Sequence, residues 1–170
     1  TSILPETSDS EFTWKDFQAR VNNELVAILG NFVNRVLVLS HKYFEGKVLM
    51  GSAYNDTDKA VFTELAKYPA LIEQSIGNYR FREAMSQFIN AARLGNKYLA
   101  DEEPWKVYKE DPERVKTVLN VATQIVANLA ILAQPFLPKT AIKLFDMLNI
   151  DTQGWDKAGE AAIMVDAHQL

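Results

Sequence analysis

"WKDFQARVNNELVAILGNFVNRVLVLSHKYF", residues 14 to 44, is the stretch on which the fold turns. Its apolar residues fall at Trp14, Phe17, Val21, Leu25, Ile28, Phe32, Val36, Leu39 and Tyr43, in steps of three and four throughout. That spacing puts them on one face of a helix roughly 45 Å long, at ~1.5 Å per residue. Thr13, with Asp16 three residues later, reads as a capping box for its start.

Beyond it, "FEGKVLMGSAYNDTD" breaks the pattern with two glycines and an Asn-Asp-Thr cluster, so it reads as a loop. A second helical segment begins near Asp58, with Asp56 or Thr57 as N-cap, and carries Val61, Leu65 and Tyr68. Pro69 kinks or interrupts it before "ALIEQSIG" resumes the pattern. The third segment runs from about Phe81 to Leu99, with a stripe of Phe81, Met85, Phe88, Ala92, Gly95 and Leu99. Its small residues allow a neighbouring helix to come close. Pro104 disfavours helical geometry at Glu103 and so ends it. Asp111 as cap and Pro112 at the first position start a fourth helix, whose stripe runs from Val115 through Ile125 to Phe136. Pro135 and Pro138 end that one, and "PKTAIKLFDMLNI" gives a short fifth. The tail from Asp151 has weak periodicity. No segment shows sustained strand alternation, so the sequence predicts an all-α bundle of four long helices plus a short fifth helix.

The composition agrees with a single domain of ordinary globular type: 170 residues, 48% apolar and 24% charged, with seven glycines and six prolines. Cysteine is absent, which excludes disulfides, thiolate metal sites and cysteine nucleophiles and fits a reducing cytoplasm. Neither a signal peptide nor an apolar run long enough to cross a bilayer is expected. The net charge of −4 argues against gripping nucleic acid mainly through phosphates. The first residues, "TSILPETSDSE", read as a loop leading in from a missing upstream part.

Catalytic and metal chemistry is nearly empty. His41 and Glu45 have helical i,i+4 spacing, but two ligands are too few for a metal site. There is no phosphate-binding glycine loop and no Ser-His-Asp arrangement. The oddities are polar. Asn22, Asn23, Asn31 and Asn34 all lie in the first helix, although asparagine is a poor helix former. Asn31 and Arg35, four apart, share a face. An amide beside a guanidinium suits reading a nucleobase edge; alternatively Arg35 pairs with an acid of a neighbouring helix. Trp105 directly follows Pro104 at a helix-to-helix corner among charged neighbours. It either caps the end of a core or offers a platform on which an unpaired base stacks.

Several stretches together resemble the anticodon-binding domain of methionyl-tRNA synthetase. They are "DFQARVNNELVAILGNFVNRVLVL" (16–39), "NKYLADEEPW" (96–105) and "LAQPFLPKTAIKLFDML" (132–148), with "LPETSDSEFTWKDF" similar to the connector after that family's catalytic half. The resemblance implies that Trp105 stacks on an anticodon base and that Asn31 and Arg35 hydrogen-bond to bases of a CAU anticodon. Asn34 and Asn96 fall at neighbouring positions, and Lys109, a turn beyond Trp105, could meet a phosphate. It further implies residues 1–12 as the connector, 13–150 as the bundle and 151–170 as a partly ordered tail that should pack back on it. Its partners would be the anticodon loop of the methionine tRNA and an upstream catalytic domain, with neither membrane nor DNA. ATP, magnesium and zinc would belong to the full-length ligase, with no cofactor and no catalysis in this stretch. One departure is Ala27, where some members carry a further asparagine. The competing expectation is a helical protein-interaction scaffold without an RNA role.

Overall fold

The computed structural model describes residues 14–159, 163 and 168–170. Helix α1 (Trp14–Phe44) is followed by a two-residue strand β1 (Lys47–Val48), then α2 (Asp56–Leu65) and α3 (Tyr68–Gly77). Next come α4 (Phe81–Glu102), the single turn α5 (Pro104–Val107), α6 (Pro112–Ala133) and α7 (Pro138–Met147). A 3-10 turn at Trp155–Lys157 and strand β2 (His168–Gln169) close the chain. The all-α bundle expected from periodicity is what forms.

Helix α6 is its axis. Every residue from Thr117 to Ala133 is buried, because α1, α4 and α7 surround it and the loop after β1 covers the remaining side. Phe32 of α1, Phe88 of α4, Ile125 and Leu129 of α6, and Phe145 of α7 are fully enclosed in one core. By length and composition alone α6 and the 22–44 part of α1 meet the threshold for a bilayer-crossing helix, as core helices also do. For α6 the apolar content is that of a core helix, since 94% of its window lies inside the bundle.

Some local expectations are corrected. The cap at Thr13 lies outside the described residues. The N-cap of α2 is Asn55, not Asp56 or Thr57: the Asp58 amide donates to Asn55 Oδ1 at 2.9 Å, and the Asn55 amide donates to Asp58 Oδ2 at 3.1 Å. This reciprocal pair satisfies two amide donors that a helix start leaves open, and one residue later it could not form. Pro69 interrupts rather than kinks. The second segment is two ten-residue helices, with Pro69 in the first turn of α3, where its missing N–H costs nothing. The antiparallel pair of Lys47 with Gln169 and Val48 with His168 escaped notice because two-residue strands carry no alternation.

Buried polar side chains of α6 hold the non-helical segments in place. Thr117 Oγ1 donates to the Ser52 carbonyl at 2.5 Å, and Asn120 Nδ2 donates to that of Leu49 at 3.3 Å. Tyr54 Oη donates to Asn120 Oδ1 at 3.2 Å, and the Gly159 amide donates to Asn128 Oδ1 at 2.5 Å. Steps of three and eight put Thr117, Asn120 and Asn128 on one stripe of α6, where they serve backbone that no ladder serves. Gly51 permits the close approach: a Cβ there would sit 2.0 Å from the Glu113 carbonyl oxygen.

Candidate functional site

Helix α4 stops abruptly. Glu103, the residue before Pro104, lies in the left-handed region at φ 46° and ψ 58°. A non-glycine residue is held there at a cost of about 1–2 kcal/mol. The chain then restarts at once as α5, with buried Pro104 at its first position and Trp105 projecting at the second. The Val107 carbonyl accepts from the amides of Glu110 and Asp111, and Asp111 caps α6 by accepting from the Arg114 amide. The corner is tightly wound.

Trp105 is 37% exposed, so neither a core plug nor a free side chain describes it. The Arg35 guanidinium of α1 lies over its ring, 5.2 Å from the centroid. That geometry suits a cation–π contact. The two meet because α1 packs closely on α4. Gly95 has no side chain to hold them apart, and a Cβ on it would lie 2.7 Å from the buried Phe32 ring.

The remaining candidates divide. Asn31 is exposed, one helical turn before Arg35 on the same face of α1. Asn96 sits at the α1–α4 contact, where its Nδ2 is 3.4 Å from the carbonyls of Ile28 and Ala92 and its Oδ1 is buried without a partner. Asn34 is exposed and borders an apolar groove between α1 and α7, lined also by Val26, Val33, Leu144 and Met147. Lys109 is exposed in the turn after α5. Glu45 has a left-handed φ of 55°, so it does not continue the helical face that carries His41.

Two features were missed by sequence reasoning. Tyr108 packs on Tyr43, with centroids 4.2 Å apart, and on Phe44 at 5.9 Å, joining the α5 corner to the end of α1. Beneath the corner lies a charged network. Asp58, fully buried, accepts from Arg114 at 2.6 and 2.9 Å and from Tyr98 Oη at 2.6 Å, and Arg114 also donates to Glu102 at 2.7 Å. Burial alone pushes the Asp58 carboxyl up. The hydrogen bonds from Arg114, Tyr98 and the Asn55 amide, with the guanidinium charge, outweigh that and hold it below its ordinary value. Burial and the bond to Asp58 push the Tyr98 hydroxyl far above its usual range. Only the Tyr98–Glu102 spacing of four was available as a signal, because Asp58 and Arg114 are 56 residues apart.

Among the described residues no three His, Asp or Glu side chains converge as a metal would require, and the chain has no cysteine. These residues therefore do not fit the zinc or magnesium that the resemblance associates with the longer enzyme.

Comparison with known proteins gives this arrangement its family. Residues 48–168 match the family described as the anticodon binding domain of methionyl tRNA ligase, and residues 1–37 match tRNA synthetases class I (M). A methionine–tRNA ligase of Cytophaga hutchinsonii is 55% identical over 98% of this chain, which spans 24% of that relative. One of Phocaeicola vulgatus is 54% identical over 100% of the chain and 25% of its own length. The chain thus spans about a quarter of the relatives it matches. Among solved structures, the apo form of Mycobacterium tuberculosis methionyl-tRNA synthetase superposes with a TM-score of 0.78 at 23% identity, covering 94% of this chain and 33% of that one. The same enzyme with methionyl-adenylate gives 0.73 at 25% identity over 94% and 32%. The match over 48–168 includes the Pro104–Trp105 corner and the network beneath it, and the chain belongs to the anticodon-binding domains of methionyl-tRNA ligase.

Proposed function

We propose that the domain reads the CAU anticodon of the methionine tRNA, with Trp105 stacking on one splayed base and Asn31 and Arg35 bonding to base edges. The observation that carries this reading is the Arg35 guanidinium lying 5.2 Å from the centroid of a partly exposed tryptophan. An aromatic face bordered by a planar, multiply donating cation is what recognition of an unpaired base requires. Asn96 and Lys109 would supply a secondary base or phosphate contact. Asn34, exposed on α1 beside Arg35, would be a further contact of lesser weight.

In this reading, residues 1–12 connect to an upstream catalytic part that attaches methionine using ATP and magnesium, in the cytoplasm where tRNA is charged. The described domain itself supplies recognition and not chemistry. Binding of a fluorescent hairpin carrying CAU, beside hairpins altered at single anticodon bases and at one stated salt concentration, tests the reading. A preference for CAU that disappears in Trp105→Ala supports it. Equal binding to every loop sequence would instead leave the protein-scaffold reading standing.

A further inference from the structure

We propose that the Glu102–Arg114 ion pair is a positioning device for Trp105, bracketing the α5 corner from both sides; this rests on the base-stacking reading above. Glu102 is the last residue of α4 and Arg114 lies in the first turn of α6, so their 2.7 Å contact closes a ring around Glu103, Pro104 and Trp105. Within that ring Glu103 is held in left-handed geometry, a conformation that relaxes unless its flanks are fixed.

Charge accounting sets Glu102 apart from a simple core-neutralising role. The buried Asp58 already receives both nitrogens of Arg114 in a bidentate pair, together with the Tyr98 hydroxyl and the Asn55 amide. One guanidinium then serves two carboxylates, so the partly buried group carries a negative charge in excess. Stability alone does not call for the second acid, because leaving a buried charge without a full counter-charge is costly. What Glu102 adds is geometry: a tether between the two helices whose ends define where α5, and with it the indole ring, stands.

Recognition groups must be held to within about 0.5 Å by what supports them, so loosening the tether should cost binding roughly tenfold. The test uses the full-length protein labelled with 5-fluorotryptophan. The Trp105 fluorine resonance is assigned by its loss in Trp105→Phe. Glu102→Gln is expected to shift or broaden that resonance and to weaken CAU-hairpin binding about tenfold. In the Trp105→Ala background it is expected to weaken binding no further, because its effect passes through the ring. An unchanged resonance, or a loss that adds in full to that of Trp105→Ala, would overturn the proposal. Undiminished hairpin binding by Trp105→Ala would instead sink the base-stacking reading, and the resonance would still decide whether Glu102 positions the ring. Should Glu102→Gln fold poorly, Glu102→Asp, which withdraws the carboxylate while keeping its charge, is expected to show the same changes to a smaller extent.

Discussion

Trp105 and Arg35 make opposite demands on a substitution experiment, since one is a partly exposed platform and the other covers it. Trp105→Ala leaves the core residues in place but gives up the buried part of a ring that is 37% exposed, so the expected cost in stability is about 1–2 kcal/mol. Stacking on one base is worth about 1–3 kcal/mol, so hairpin affinity should fall by that amount. A thermal melt beside a hairpin titration separates the two, and a collapse in melting temperature would mark Trp105 as core. Arg35→Lys keeps the charge and discards the planar fork, so it should lose about 1–3 kcal/mol of discrimination between CAU and altered loops. That Asn31 and Arg35 share one face of α1 was legible from i,i+4 spacing. That Arg35 reaches Trp105, 70 positions along the chain, was not, because no periodicity relates residues on different helices.

At the scale of elements, the α1–α4 contact is set by one missing side chain. Gly95→Ala gains about 1 kcal/mol of helix propensity but drives a methyl into the buried Phe32 ring and toward Ile125. Overpacking of that kind costs about 1–3 kcal/mol, so the expected net result is a lower melting temperature. The hairpin affinity should fall with it, because α1 carries Arg35. The start of α2 offers a cleaner test: Asn55→Ala removes the accepting half of the capping box and should cost about 1 kcal/mol in chemical denaturation. Helix α4 was legible as a stripe with small residues, and its end at Glu103 followed from Pro104. The break between α2 and α3 was only half legible. A proline in the first turn of a new helix and a proline kinking an old one leave the same mark in sequence.

Across the whole molecule, Asp58 joins α2, α4 and α6 through Tyr98 and Arg114. Its carboxyl titrates below the ordinary 3.8, so the ionised form is favoured by folding. The stabilisation is therefore complete above that value and is lost as pH falls through the lower folded one. Asp58→Asn should destabilise the protein by about 3 kcal/mol at neutral pH, and its deficit relative to the native chain should shrink in acid denaturation below about pH 4. With a net charge of −4, recognition cannot lean on many phosphates. The logarithm of hairpin affinity should thus fall with that of salt concentration with a slope no steeper than about −2. A steeper slope would point to general electrostatic attraction instead. By itself the sequence determined the helical class, the long first helix, the caps at Asp111 and Pro112, and the Pro-Trp corner, because periodicity and backbone chemistry act within a few residues. Only the tertiary structure decided that Arg35 covers Trp105, that Asn34 borders the α1–α7 groove, and that Glu102, Arg114 and Asp58 form one network. Those are contacts between separate helices, fixed by how closely buried surfaces can approach, and Gly95 and Phe32 set that distance.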